Sequence, residues 1–194
     1  GIREGENLTW KLGAILAGRA NTSLLFSYQT EREPHVRAMI DLAVMMGKVV
    51  CVTDPDLALA RDKNLIETRR ASGDASGAIP NPKLGTGLLQ ATSNIAGELF
   101  PQFTHKGSRS DDLFGHGAWL IGESIGIDGN TLGAAGVSIP SLSYFSPLVS
   151  QWLDDKGYNA VLVRPDRVIF GGGNAAELIT AYADGLYQEA RVVA

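Results

Sequence analysis

The groups in this chain that could carry chemistry are few, and their spacing narrows which chemistries to expect. One cysteine (Cys51), three histidines (His35, His105 and His116) and one glycine run (Gly171-Gly172-Gly173) stand out among 194 residues. A single cysteine cannot form an intramolecular disulfide, a Cys-x-x-Cys pair or a cysteine-rich zinc site. It lies in the apolar run Lys48-Val49-Val50-Cys51-Val52. A small buried hydrophobe is expected there, because a thiol becomes reactive only where a neighbour lowers its pKa. The histidines are too scattered for metal-ligand spacing, and no Ser-His-Asp or Cys-His arrangement can be read from the residue order. The glycine run follows an apolar stretch and precedes a helical one, which is the setting of a phosphate cradle. It lacks both the Gly-Lys-Ser/Thr ending of a phosphate loop and the Gly-x-Gly-x-x-Gly of a dinucleotide site. A strand exit followed by an Asn174 helix cap is therefore expected, and no catalytic or metal-binding residue.

The elements that would position these groups follow from periodicity. Leu8, Leu12, Ile15 and Leu16 fall at helical spacing, and Gly18 closes that helix. Asn21, Thr22 and Ser23 offer N-caps for a second helix through Leu24, Leu25, Tyr28 and Arg32, which Pro34 is expected to break or restart. Val36, Met39, Ile40, Ala43, Val44 and Met46 continue as an apolar stripe, and Asp54-Pro55-Asp56 opens a third helix. Between Ser72 and Gly87 the chain turns to Gly, Ser, Pro and Asn, which reads as a surface linker. Beyond it, Trp119-Leu120-Ile121 forms a short strand, and Ser146-Pro147 opens a helix that Gly157 stops. Ala160–Val163 and Val168–Phe170 pair as a hairpin about Arg164-Pro165-Asp166-Arg167, with Pro and Asp suiting the centre of a type I turn. A last helix carries Leu178, Ile179, Tyr182 and Leu186 on one face. Strand, helix, hairpin and helix in that order make an α/β sandwich on a small mixed sheet. A hairpin followed by a closing helix is also how a thioredoxin fold ends.

Composition excludes other classes. The formal net charge of -4 and the scattered basic residues, with Arg69-Arg70 the only adjacent pair, argue against a nucleic-acid partner. No apolar run reaches the roughly 18–20 residues of a membrane span, so no membrane partner is expected. No signal segment is visible either, and with one free cysteine this points to the cytoplasm.

Four segments carry a resemblance to a known family. Gly1-Ile2-Arg3-Glu4-Gly5-Glu6-Asn7-Leu8-Thr9-Trp10-Lys11-Leu12 resembles the tail of the third flavin-binding motif of the class A FAD-dependent aromatic-ring hydroxylases, with Glu4 for the usual Asp and Gly5 for Ala. Leu24-Leu25-Phe26-Ser27-Tyr28-Gln29-Thr30-Glu31-Arg32-Glu33-Pro34-His35 is similar to a second family segment, with Glu33 where another Arg is common. Ala96-Gly97-Glu98-Leu99-Phe100-Pro101-Gln102, together with Asp111-Asp112-Leu113-Phe114-Gly115, resembles the entry to the family's C-terminal domain. Val163-Arg164-Pro165-Asp166 resembles its late hairpin. The order is the family's, and the branch most resembled is that of 3-(3-hydroxyphenyl)propionate and phenol hydroxylases.

The resemblance implies an α/β chain in which residues 1–72 are the C-terminal helices of an FAD-binding domain, residues 73–95 a linker, and residues 96–194 a thioredoxin-like domain lacking Cys-x-x-Cys. It implies FAD and NAD(P)H as cofactors of a complete protein that hydroxylates a phenolic small molecule, the flavin carrying the oxygen chemistry. Gly1 and Ile2 would lie at the edge of that flavin site. A chain that opens on glycine and enters a helix at once reads as part of a longer one, with the dinucleotide fingerprint and substrate-covering sheet upstream. By itself it is expected to hold no cofactor and to be inactive. Leu8, Leu12, Ile15 and Leu16 must then be covered: the rest of the chain is present but disordered or proteolysed, the fragment dimerises through this face, or the helices repack on the C-terminal domain. The alternative is a stand-alone, non-catalytic thioredoxin-like module for dimerisation or scaffolding.

Overall fold

The structure is a computed structural model that describes residues 1–72, 82–122, 127–142 and 144–188. By packing, the chain falls into two compact units, Gly1–Arg32 with Lys83–Ala194, and Glu33–Pro82.

The larger unit is mixed α/β. It opens with helix α1 (Ile2–Leu16), a short 3-10 turn (Thr22–Leu25) and the first residues of α2 (Phe26–Val50). Gly18, with φ +70, turns the chain out of α1. After residue 82 come a two-stranded ribbon, β1 (Thr104–His105) and β2 (Ser108–Arg109), and helix α4 (Ser110–Phe114). The remaining elements are β3 (Ala118–Gly122), α5 (Gly129–Ala135), β4 (Val137–Ser138), α6 (Ser146–Lys156), β5 (Ala160–Val163), β6 (Ile169–Gly173) and α7 (Ala175–Tyr187). Four of these strands form one sheet in the order β4-β3-β5-β6, with β3 parallel to β4 and antiparallel to β5, and β5 antiparallel to β6.

Alternation along the strands sorts the core onto two faces. Ala118, Leu120, Ala160, Leu162 and Phe170 pack with Leu178, Ile179, Tyr182 and Leu186 of α7 and with Ala14 of α1. Trp119, Ile121, Val161, Val163 and Ile169 pack on the other side with Phe100, Phe114, Phe145, Val149 and Leu153. Caps follow the expected chemistry. Asn174 accepts from the N–H groups of Ala176 and Glu177 at 2.9 and 3.2 Å, and Gly157 ends α6 at φ 73.

Several expectations change. Pro34 neither breaks nor restarts α2, which runs through it. A proline inside a helix costs about 3 kcal/mol, and here Glu31 is pinned by buried ion pairs and Arg32 by a part-buried one just before it. The glycine run forms the last three residues of β6, and Asn174 directly after it caps α7 as expected. A Cβ on Gly171 would stand 2.2 Å from the Gln90 amide oxygen, and one on Gly172 would stand 2.7 Å from the Tyr158 ring. These glycines admit side chains, which accounts for them without a phosphate. Residues 73–81 of the expected linker lie outside the described residues. From Lys83 onward the segment packs into the larger unit, with Leu84, Leu88 and Ile95 buried and the Gln90 N–H donating to the Phe170 carbonyl at 2.8 Å.

The second unit comprises α2 from Glu33 onward and α3 (Pro55–Ser72). Asp54 caps α3 by accepting from the N–H groups of Asp56 and Leu57. Arg61 ties α3 back to the Val49 carbonyl at 2.9 Å. Met39, Ile40, Val44, Val50, Leu57 and Leu59 are exposed, so the expected apolar stripe does not form a core. Cys51, expected to be buried, is also exposed, because its run ends a helix instead of crossing a sheet.

Candidate functional site

The largest concentration of polar groups inside the protein lies where α1, the start of α2 and the β5–β6 turn meet. At 100° per residue, Asn7, Lys11 and Ala14 share one face of α1, and these three are its buried residues. Ile2, Leu12 and Leu16 lie on the opposite face and are exposed, Leu16 at 87%. The helix therefore docks by its polar stripe and Ala14, and of its expected apolar set Ile15 packs partly buried against the core while Leu12 and Leu16 stay exposed.

Glu31 receives that stripe. Its Oε2 accepts from Asn7 Nδ2 at 2.8 Å, Lys11 Nζ at 2.9 Å and Arg164 Nη2 at 2.8 Å, and its Oε1 accepts from Arg164 Nη1 and the Leu88 N–H, both at 2.9 Å. All five N–H bonds of Arg164 are used. Nε and Nη2 donate to Asp166 at 3.1 and 2.7 Å, Nη1 donates additionally to the Leu88 carbonyl at 3.1 Å, and the rest go to Glu31. Asn7 Nδ2 also reaches Asp166 Oδ2 at 2.8 Å. The Arg164 guanidinium lies 5.3 Å from the centroid of the Trp10 ring, within cation–π range. Gly87 makes room for the carboxylate, since a Cβ there would stand 2.3 Å from Glu31 Cγ.

Lys11, Glu31 and Arg164 are fully excluded from solvent and Asp166 nearly so. Their formal charges cancel, as burial of ionised groups requires. Burial alone would raise the Glu31 pKa, but the Arg164 charge and hydrogen bonds, with Lys11 behind them, hold it at about 2. Burial pulls Lys11 down to about 8, against the opposing pull of Glu31. A lysine so shifted suits base catalysis elsewhere, yet this one is sealed and bonded to a carboxylate. The network can hold elements together and cannot reach a substrate. Next to it, Arg32 Nη2 pairs with Glu4 Oε1 at 2.5 Å.

Gly1 and Ile2 begin α1 at the surface, with Ile2 84% exposed and the Gly1 ammonium paired to Glu4. Neither enters the network. His35 lies buried on α2, His105 packs edge-on to Tyr144 at 5.1 Å, and His116 sits in the loop before β3. Among the described residues no group of His, Cys, Asp and Glu could hold a metal, and no helix is long and apolar enough to cross a membrane. An FAD would need a pyrophosphate cradle and backbone donors to its ring. The exposed first residues of α1 offer helix N-terminal N–H groups to such a ligand.

The network residues were missed as a site, although each stands in a segment already singled out. Asn7 and Lys11 come from the first segment, Glu31 and Arg32 from the second, and Arg164 and Asp166 from the last. The available signal was a polar i, i+4 pair on a short helix. Its partners lie 20 and more residues away in sequence, where spacing carries no information.

Comparison with known proteins places this geometry. Residues 1–43 match the family described as FAD binding domain. A probable NADH-specific resorcinol 4-hydroxylase of Rhodococcus jostii (strain RHA1) is 32% identical over 213 residues, covering 94% of this chain and 39% of the relative. A 3-(3-hydroxy-phenyl)propionate/3-hydroxycinnamic acid hydroxylase of Mycobacterium sp. (strain JLS) is 51% identical over 63 residues, covering 32% of this chain and 11% of the relative. The chain thus spans about two fifths of the first relative's length. Among solved structures, the rebeccamycin biosynthetic enzyme RebC with reduced flavin aligns over 96% of this chain and 40% of its own, with TM-score 0.62 and 19% identity. The flavin-dependent monooxygenase PieE in complex with FAD and substrate aligns over 95% of this chain and 43% of its own, with TM-score 0.60 and 21% identity. At those identities the structures show a shared fold.

Proposed function

We propose that this chain, a relative of the class A FAD-dependent aromatic-ring hydroxylases, is the C-terminal part of a monooxygenase that hydroxylates a phenolic ring with FAD and NAD(P)H. The observation that carries the reading is the closure of three family-like segments into one buried network through Asn7, Lys11, Glu31, Arg164 and Asp166. Relatives named as resorcinol and 3-hydroxyphenylpropionate hydroxylases support a phenolic substrate, and the name of the first supports NADH. Residues 1–72 then correspond to the last helices of the FAD-binding domain, 73–95 to the linker and 96–194 to a thioredoxin-like domain. The sheet order β4-β3-β5-β6, with one parallel and two antiparallel pairs, supports that last assignment. Dithiol exchange is no part of its role, since the only cysteine, Cys51, lies on the other side of the linker.

In the complete protein the flavin supplies the oxygen chemistry. This chain's part is to seat α1, whose first residues, Gly1 and Ile2, would touch the flavin's edge. The chain alone is inactive and holds no cofactor. The test is visible flavin absorbance of the purified chain after incubation with FAD and gel filtration. A colourless protein peak is expected. A stoichiometric yellow one would place a cofactor site within these residues and overturn the assignment.

A further inference from the structure

Beside the network, but separate from it, α1, α7, the residues after α1 and the turn at Arg167 line a half-open cavity of about 360 Å³. Trp10, Arg19, His116, Arg167 and Tyr182 line it, and no carboxylate does. That bias runs against a chain with 21 acidic and 17 basic residues. Arg167 is already engaged, donating to the Gly115 and Gly117 carbonyls at 3.1 Å and pairing with Asp111 at 3.3 Å. Arg19 is different, since its guanidinium makes no ion pair or hydrogen bond among the described residues and lies against Gly136. Tyr182 is only 2% exposed, and its hydroxyl likewise has no hydrogen-bond partner among the described residues. That hydroxyl is accessible from the cavity, whereas the Trp10 indole N–H on the same lining is buried without a partner, which calls for an explanation.

The lining thus offers one uncommitted cation, one O–H donor facing the cavity, and walls supplied by the Trp10 ring and by Ala14 and Leu186. The volume sits at the low end of the roughly 300–1,000 Å³ typical of small-molecule sites, which suits a single ring. We propose that this cavity binds a small aromatic carboxylate, its charge met by Arg19 and the Tyr182 hydroxyl and its ring by Trp10 and Leu186. Burial raises the Tyr182 pKa, so the phenol stays a neutral donor across working pH. A ligand here touches α1, Arg19 and α7 together and so braces α1 against the sheet. The inference does not rest on the flavin reading.

The test is calorimetric titration of the 194-residue chain with benzoate and with benzamide, an uncharged molecule of the same shape. Saturable one-to-one binding of benzoate is expected, with benzamide at least about tenfold weaker, because a charged hydrogen bond is lost. Arg19→Gln, at an exposed position, should weaken benzoate about tenfold without moving the thermal melt, and Tyr182→Phe should weaken it several-fold. Benzoate that fails to saturate, or binds no better than benzamide, overturns the proposal. So does a folded Arg19→Gln chain with undiminished affinity. If that variant fails to fold, full affinity in a folded Tyr182→Phe chain overturns it equally.

Discussion

Helices α1 and α7 pack into the same apolar cluster but present opposite surfaces to it. α7 buries Leu178, Ile179, Tyr182 and Leu186, the stripe that any reading of hydrophobic period would choose. α1 buries Asn7, Lys11 and Ala14 and leaves Leu12 and Leu16 in solvent. Hydrophobic burial is tolerant of shape and direction, whereas a buried ion network works only when each donor meets its acceptor. α7 is thus held by area, and α1 by address.

Breaking the network at its centre should give the largest effect. Arg164→Met strips Glu31 and Asp166 of their main cation and should cost about 3–5 kcal/mol in urea unfolding. A loss no greater than that from the exposed pair Arg109–Asp112, worth under about 1 kcal/mol, would show that α1 is not held in this way. On the other helix, Leu178→Ala should cost about 2–5 kcal/mol by removing buried methyl groups and leaving a cavity. Unlike the first loss, this one should be indifferent to pH.

Acid should separate the two helices further. Glu31 has a folded pKa of about 2 against 4.5 for the free group, so its contribution is present above about 4.5 and is lost as pH falls toward 2. About 3 kcal/mol should disappear over that window, and Glu31→Gln should flatten the profile. Lys11, lowered to about 8 from 10.5, has the other sign. The unfolded chain binds more protons between those values, so stability should rise, not fall, by about 2 kcal/mol from pH 8 to 10. The smallest effect should come from Leu16→Gln, within about 0.5 kcal/mol at so exposed a position. A large change there, or a shift in sedimentation, would mean that this face is covered in solution.

What could be read from residue order follows the same division. α6, α7 and the β5–β6 hairpin were legible because their apolar spacing, Gly157, Asn174 and the Pro165-Asp166 turn all act within a few residues. β4 was not, since two residues, Val137 and Ser138, make too short an edge strand to show a period. α5 was not either, because Gly129 and Gly133 give it poor helix propensity and only the Asp128 cap marks it. The exposure of Cys51 and of the α2 stripe eluded the reading because apolar spacing says which residues share a face and not what covers that face. The network lay furthest out of reach, because every partner of Glu31 except Asn7 and Lys11 comes from beyond residue 82.

Glu31 and Arg164 are separated by 133 residues, and that separation has a consequence during synthesis. At about 5–20 residues per second, Glu31 leaves the ribosome on the order of ten seconds before its principal counter-ion is made. Through that interval Glu31 and Lys11 keep their hydration shells, and the early helices have nothing to gain from shedding them. The nascent segment around Glu31 therefore waits, wet and unseated, until the hairpin emerges to exchange water for guanidinium.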